Sequence, residues 1–171
     1  INPSALIIEL PSNPMLKCVN IKKISKIAKK LNIPLIVDDT IGSNLNINSI
    51  EHADIVFTSL TKIFSGSGDI LAGSLILNPK SKWIDQFRNA LNEINLPILS
   101  DGDIVYLEKV SRDVNQRVFE QNKACLELKK RLETHSEIKN IFHPENCPNF
   151  NSLLTSDGGY GCLLSFELNG G

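Results

Sequence analysis

One lysine and the residues before it form the part of this sequence with the clearest capacity for chemistry. Lys62 ends the segment 59–62 (SLTK), and Asp38 lies 24 residues before it. Apolar runs at 34–37 and 54–59 predict two buried strands, the first ending at the aspartate and the second at the lysine segment. The carboxyl ends of parallel strands open on one edge of a sheet. We therefore expect an amine, a carboxylate and two hydroxyls to meet at that edge.

This combination of groups is what a pyridoxal phosphate (PLP) site requires. A lysine amine forms a Schiff base with the PLP aldehyde, and a carboxylate holds a proton on the pyridine nitrogen. The hydroxyls of Ser59 and Thr61 can donate hydrogen bonds to phosphate oxygens. The glycine-rich segment 65–69 (SGSGD) allows the backbone to approach a cofactor closely. The residues therefore predict PLP as the cofactor and Lys62 as the catalytic residue. Asp38 is predicted to bind the pyridine nitrogen of the cofactor.

Two further positions need an interpretation. Because successive side chains of a strand point to opposite faces, only one of the adjacent residues Asp38 and Asp39 can face the site. We assign Asp38 to the site, and Asp39 to a turn with Thr40. Asn13 follows the predicted first strand, and its side-chain amide either donates to the ring oxygen of the cofactor or serves as a turn residue before Pro14. The residues alone leave both possibilities for Asn13 open.

Two other functional classes fit the sequence less well. The acid pair at 38–39 resembles the magnesium-binding pair of response-regulator receiver domains. That pair ends the first strand of its domain, however, whereas a full β-α unit precedes this one. A doubly wound nucleotide-binding domain needs a G-x-G-x-x-G sequence after the first strand, which is absent here. Segment 65–69 also lacks the Lys and Ser/Thr that follow the second glycine of a P-loop.

The predicted elements of the first half of the chain alternate between strands and helices. A helix begins after Asn20, a predicted N-cap, because apolar residues recur at helical spacing as far as Leu31. This order predicts an α/β fold with a mostly parallel sheet. The apolar runs that predict its strands lie at 5–10, 34–37, 54–59 and 70–77.

The second half of the chain has a different pattern. Residues 80–93 have a helical pattern, and a helical period then runs from Asp103 for about 30 residues without Gly or Pro. We expect one long helix there. Apolar runs at 138–143 and 161–168 predict short strands after it.

The ends of the chain suggest a piece of a longer polypeptide. The sequence begins with Ile1 and ends with Gly170 and Gly171, directly after a strand-like run. We expect residues 1–112 to be part of a large PLP-binding domain. Residues 113–171 are expected to begin a smaller α+β C-terminal domain, joined to the first by the long helix.

The composition limits the classes of binding partner and the cellular compartment that we expect. The net charge is −1, from 18 basic and 19 acidic residues, so the sequence offers no electrostatic attraction for nucleic acid or membranes. No apolar stretch approaches the ~20 residues that span a bilayer. The four cysteines form no C-x-x-C pair, and the three histidines are isolated from them, so no metal site is expected. We expect thiols in a reducing, cytoplasmic compartment.

Several motifs resemble those of the Cys/Met-metabolism PLP enzymes, a fold type I family of cystathionine γ-synthases, γ-lyases and sulfhydrylases. Segment 9–14 is similar to the E-x-P-x-N-P element of that family, and segment 37–40 to its V-D-N-T element. Segment 53–69 is similar to its A-D-I-V…S-x-T-K…G-H-x-D stretch. Asp39 stands where the family usually has Asn, and Ser67 replaces the usual His.

Residues of the second half are most similar to the fungal cystathionine γ-synthase branch of the family. Asp113, Arg117, Asn122 and segment 158–166 provide this likeness. The resemblance implies that the enzyme condenses an O-acylhomoserine with cysteine to give cystathionine, a transsulfuration step of methionine biosynthesis. A cystathionine γ-lyase or an O-acylhomoserine sulfhydrylase is the alternative within the same chemistry. A non-catalytic homologue that acts as a binding subunit is the alternative from another class.

The resemblance also implies a role for each candidate residue. Lys62 is expected to form the Schiff base and to move protons, Asp38 to pair with the pyridine nitrogen, and Asn13 to contact the ring oxygen. Ser59 and Thr61 are expected to hold the phosphate. The family has amino-acid substrates and forms homodimers or homotetramers. Its ring-stacking tyrosine and its substrate-binding arginine have no counterpart in these 171 residues, so we expect this chain alone to be inactive.

Overall fold

A four-stranded sheet forms the centre of the structure, a computed structural model that describes residues 3–94 and 96–170. Strands β1 to β3 run parallel, and β4 is antiparallel to β3, in the order β1-β2-β3-β4. This arrangement confirms the predicted α/β class and the mostly parallel sheet. The strands are β1 (Leu6–Glu9), β2 (Leu35–Asp38), β3 (Ile55–Ser59) and β4 (Gly73–Leu77).

Helix α1 (Ile21–Leu31) connects β1 to β2 and begins where the sequence predicts. The Asn20 side chain accepts a hydrogen bond from the Lys23 backbone N (2.9 Å), which satisfies one of the free N–H groups of the first turn. Asn32 ends the helix in the left-handed conformation with φ 57°. Its backbone N–H bonds back to the last turn, as in a common helix C-cap.

The prediction of a single long helix from Asp103 is wrong. The structure has helix α2 (Ile84–Glu93) and then two separate helices, α3 (Asp101–Ser111) and α4 (Val114–Glu133). The break falls at Arg112 and Asp113, neither of which is a helix-breaking residue type. At the break, the Arg117 guanidinium donates a hydrogen bond to the Val110 carbonyl oxygen in the last turn of α3 (2.8 Å), which satisfies one of the carbonyl groups that a helix end leaves without a partner.

The last part of the chain forms a small two-stranded sheet. Strand β5 (Ile138–Phe142) pairs antiparallel with β6 (Ser165–Leu168). A 3₁₀ turn (Pro144–Asn146) and the short helix α5 (Pro148–Asn151) lie between them. Both predicted strands are confirmed, although the second begins four residues later than its apolar run.

Residues from both halves of the chain share one apolar cluster. Leu35, Val37 and Val56 in the sheet are at most 1% exposed, and Phe150 of α5 is fully buried in the same cluster. The core therefore crosses the predicted boundary at residue 112, and that boundary stays a prediction. Across the described residues, no helix combines the length and the apolar character that crossing a bilayer would require.

Candidate active site

A cavity of about 600 Å³ lies at the carboxyl ends of β1, β2 and β3. The parallel register pairs Glu9 with Asp38 and Asp38 with Phe57, two residues before β3 ends at Ser59, so the three strands open on the same edge. Four of the five predicted site residues line this cavity: Asn13, Asp38, Ser59 and Lys62. Thr61 is not among the lining residues.

Asp38 and Asp39 lie on opposite sides of the backbone, as strand alternation predicts. Asp38 lines the cavity, where its Oδ1 accepts a hydrogen bond from the Thr40 backbone N (2.9 Å). Asp39 is fully buried and accepts hydrogen bonds from the hydroxyls of Thr58 and Ser49. Burial raises the pKa of Asp39, and the neighbouring Asp38 charge adds to this, while the two hydroxyl donors act in the opposite direction.

Ser59 reaches the cavity from the end of β3. Its backbone N donates a hydrogen bond to the Thr40 hydroxyl oxygen (2.9 Å), which ties the ends of β2 and β3 together. Among the described residues, its own hydroxyl has no hydrogen-bond partner. A hydroxyl in this position can donate to an anionic group in the cavity.

Lys62 lies in a turn that directly follows β3. Residues Leu60–Phe64, which we call the lysine turn, have π-helical hydrogen bonding that is interrupted at Lys62, whose backbone angles (φ −91°, ψ −111°) are not helical. The turn is fixed at its start by the Leu60 N bond to the Ala72 oxygen (2.9 Å) and at its end by the Gly66 N bond to the Lys62 oxygen (2.9 Å). The Lys62 side chain is exposed and lines the cavity, so its amine is accessible there.

Thr61 takes part in a different contact from the one the sequence suggests. Its hydroxyl oxygen accepts a hydrogen bond from the Ala72 backbone N (3.1 Å) and donates to the Ala72 oxygen (3.4 Å). The chain segment that leads into the antiparallel strand β4 passes beside the lysine turn and provides both partners. The structure thus does not bring the Thr61 hydroxyl to the cavity, and its role in phosphate binding stays a prediction.

Asn13 lies in the turn that follows β1. Its backbone N donates to the Glu9 Oε2 carboxylate oxygen (3.3 Å), and both residues line the cavity. The side chain of Asn13 is exposed and makes no hydrogen bond within the described part of the chain. Its amide is therefore available to a ligand, in agreement with the binding interpretation. The position of Asn13 in the turn agrees with the other interpretation as well.

Lining residues that were not predicted as site residues include Gln121 of α4, which lies outside the quoted motifs, and Cys162 and Leu163 of segment 158–166. Gln121 lies on α4, and within the described residues its Oε1 atom is buried without a hydrogen-bond partner. Burial raises the pKa of the Cys162 thiol, so this residue brings no thiolate to the cavity at neutral pH. The family likeness of Asn122 was the one signal that could have directed attention to this part of α4.

The groups in the cavity fit PLP. A primary amine, a carboxylate, a free hydroxyl and a side-chain amide provide partners for an aldehyde, a ring nitrogen, a phosphate and a phenolic oxygen. In residues 3–94 and 96–170, no group of three or more His, Cys, Asp or Glu side chains lies close enough together to hold a metal ion. The side chains that line the cavity match an organic cofactor with an electrophilic carbon and a phosphate.

Comparison with known proteins gives the family. The profile of the Cys/Met metabolism PLP-dependent enzymes matches residues 1–171. The chain belongs to this family. Membership confirms the resemblance stated from segments 9–14, 37–40 and 53–69.

Members of the family with similar sequences include fungal cystathionine γ-synthases. The enzyme of Neurospora crassa is 32% identical over 169 residues, covering 97% of this chain and 27% of the relative. The enzyme of Saccharomyces cerevisiae is 35% identical over 178 residues, covering 94% of this chain and 27% of the relative. The chain thus spans about a quarter of the length of these curated relatives.

A solved structure of another protein has the same fold. The cystathionine γ-synthase of Xanthomonas oryzae pv. oryzae, in complex with cystathionine, superposes with a TM-score of 0.83. The two proteins are 24% identical, and the match covers 99% of this chain and 44% of the other. This likeness supports the fold of the cavity-bearing sheet.

Proposed function

We propose that the full-length protein is a PLP-dependent enzyme that condenses an O-acylhomoserine with cysteine to give cystathionine. The observation that supports this most strongly is the meeting of Asn13, Asp38, Ser59 and Lys62 in one cavity at the carboxyl edge of the sheet. The similarity to fungal cystathionine γ-synthases supports the choice of reaction. Amino-acid substrates follow from that choice.

Each residue of the cavity has a role that its position allows. The Asp38 carboxylate favours the protonated form of a ring nitrogen beside it, since an opposite charge stabilises the cation. The Ser59 hydroxyl donates to phosphate, and the Asn13 amide donates to the ring oxygen. When bound, PLP would supply an electron sink for negative charge on the substrate carbons. The accessible Lys62 amine would bind the cofactor and then move protons between the α and β carbons of the substrate.

The remaining parts of the site are proposed to come from other segments or from a second subunit. Within the described residues, the cavity lining contains neither an arginine nor an aromatic side chain. A substrate carboxylate and a flat ring need such partners, so we propose that the full-length protein acts as a homodimer or homotetramer and that this chain alone is inactive. Residues 1–112 would then belong to the large PLP-binding domain and residues 113–171 to the start of the C-terminal domain.

A cytoplasmic location is part of the proposal. All four cysteines, Cys18, Cys125, Cys147 and Cys162, are free. This supports the expected reducing, cytoplasmic compartment, because disulfides are rare there.

The experiment that tests this function uses the full-length protein with added PLP. Visible absorbance from bound cofactor is expected for the wild type and for Lys26→Ala, a control at an exposed lysine of α1, and absent for Lys62→Ala. Wild-type protein that stays colourless would favour the non-catalytic binding subunit.

A product assay then separates the reactions of the family. Incubation with an O-acylhomoserine and cysteine is expected to form cystathionine. Release of ammonia and 2-oxobutyrate as the main products would instead identify a γ-lyase. Turnover with sulfide in preference to cysteine would identify a sulfhydrylase.

A further inference from the structure

Arg117 of α4 binds the backbone of the lysine turn and is not among the residues that line the cavity. Its Nη1 atom donates to the Ile63 carbonyl oxygen (2.7 Å), and its Nη2 atom donates to the Phe64 carbonyl oxygen (3.1 Å). These are the two carbonyl groups that follow Lys62 directly. The Arg117 side chain is only 22% exposed, so water competes weakly for these hydrogen bonds.

The same guanidinium also closes the break between α3 and α4. Its Nη2 atom donates to the Val110 carbonyl oxygen (2.8 Å) and to the Asp113 carboxylate (3.2 Å). A planar guanidinium with several fixed donors can serve both sites at once, which a lysine ammonium cannot match in geometry. Arg117 therefore joins the lysine turn to the ends of two helices.

Gly66 shows how closely Arg117 approaches the lysine turn. A Cβ atom at this position would lie 2.6 Å from Arg117 Nη1, and Gly66 has φ +75°. Gly68 has a similar φ of +73°, but a Cβ there would meet no atom within 4 Å. The two glycines thus share one backbone requirement, and only Gly66 also makes room for the guanidinium.

We propose that Arg117 is a positioning residue, which fixes the lysine turn so that the Lys62 amine points into the cavity. The non-helical backbone at Lys62 interrupts the regular hydrogen bonding of the turn, so carbonyl groups on its carboxyl side can accept from a donor outside the turn. Arg117 provides that donor to two successive carbonyl groups. The expected effect of Arg117 on catalysis rests on the proposed function, whereas its anchoring of the lysine turn does not.

The first test compares Arg117→Gln with Arg112→Gln in the full-length protein without cofactor. Arg112 is a matched control, since it is 71% exposed and binds Glu108 through two hydrogen bonds (3.0 and 2.9 Å). Hydrogen exchange at the amides of Ser65 and Gly66 is expected to accelerate on the order of tenfold in Arg117→Gln and to stay unchanged in Arg112→Gln. Faster exchange confined to residues 108–116 would overturn the proposal, because Arg117 would then only join the helices.

The second test adds PLP to the same variants. Arg117→Gln is expected to alter the visible circular dichroism of the bound cofactor and to lower kcat on the order of tenfold, with KM changed less than about threefold. A spectrum and a kcat equal to those of the wild type would overturn the positioning role. If the wild type binds no PLP, the proposed function fails, and the exchange result still decides whether Arg117 anchors the turn.

A third comparison guards against loss of folding in Arg117→Gln. Gly66→Ala is expected to displace the guanidinium and to reproduce the faster exchange at Ser65, whereas Gly68→Ala, with the same backbone strain, is expected to change it less. Because Gly66 and Arg117 form one contact, the double variant should exchange no faster than Arg117→Gln alone. Equal effects of Gly66→Ala and Gly68→Ala would contradict the proposal.

Discussion

Asp38 and Asp39 are neighbours in the chain but occupy opposite environments. Asp38 lines the cavity and accepts a hydrogen bond from the Thr40 backbone N (2.9 Å), whereas Asp39 is fully buried against Thr58 and Ser49. One carboxyl group is thus available to a ligand, and the other belongs to the interior. The two residues therefore allow chemistry and stability to be tested separately.

Asp39→Asn is expected to raise the free energy of unfolding at neutral pH by on the order of 1 kcal/mol. Burial, aided by the Asp38 charge, raises the pKa of Asp39 in the folded state. A raised pKa means that the stabilising contribution of the protonated form is present below the unfolded pKa of about 3.9 and is lost as pH rises through the folded pKa. An amide has no charge to bury. Its oxygen can accept from one of the two hydroxyls, while its NH2 group donates to the oxygen of the other.

Urea unfolding at about pH 7 and about pH 4 measures this effect. The gain of Asp39→Asn over the wild type should shrink toward the lower pH. A variant that is less stable than the wild type at neutral pH, or a difference independent of pH, would show that Asp39 is stabilised as a carboxylate by Thr58 and Ser49.

Asp38→Asn is expected to lower kcat of the full-length enzyme on the order of hundredfold. The neutral amide no longer favours a proton on the ring nitrogen of PLP, so the cofactor withdraws electrons less strongly. Steady-state assay of cystathionine formation measures the loss. Asp39→Asn serves as the control and should keep kcat within about threefold of the wild type; equal losses in both variants would remove the special role of Asp38.

Asn122→Ala is expected to destabilise the chain by about 2 kcal/mol. The Asn122 amide donates to Asn46 Oδ1 (2.7 Å), and its oxygen accepts from the Gly161 backbone N (2.8 Å), so it fixes the segment that leads to Cys162. Asn115→Ala, at an exposed position of the same helix, should cost less than about 0.5 kcal/mol. Thermal unfolding measures the stability of both variants. Alkylation of Cys162 should also be faster in Asn122→Ala than in the wild type. Equal stabilities of the two variants would contradict the anchoring role of Asn122.

Lys129→Met is expected to destabilise the chain by about 2 kcal/mol, because it leaves two carboxylates without their partner. The Lys129 side chain is 6% exposed, and its amine binds Glu133 (2.6 Å) and Glu145 (3.0 Å), which are themselves partly exposed. Burial lowers the pKa of Lys129, but the bonds to the two glutamates outweigh it and raise the pKa above its usual value, so the ion pairs are complete at neutral pH.

The control for this cluster is Arg131→Met on the same helix. Arg131 is 75% exposed and pairs with Glu127, so its loss should cost less than about 0.5 kcal/mol. Urea unfolding compares the two variants. Similar losses would mean that burial of Lys129 adds nothing to the strength of its ion pairs.

Local patterns in the sequence were sufficient for the elements that position the site. The ends of β2 and β3 and the capped start of α1 at Asn20 follow from apolar runs and one capping side chain, which act over a few residues. Strand alternation also separates Asp38 from Asp39 correctly. These features depend on neighbours in the chain, which a sequence displays directly.

Features that depend on distant contacts were not predicted. The bonds between Thr61 and Ala72 need β4 to pass beside the lysine turn, and the bonds from Arg117 to that turn need α4 to pack against it. Gln121 reaches the cavity only because α4 packs beside it. No local pattern marks such contacts, since each arises from the packing of elements that are far apart in the chain.

The most direct test of the account is the covalent attachment of PLP to Lys62. Full-length protein incubated with PLP is reduced with borohydride, digested, and mapped by mass spectrometry. A pyridoxyl group is expected on the peptide that contains Lys62, and none is expected in Lys62→Ala. A label on a different lysine, or no label on the wild-type protein, would contradict it.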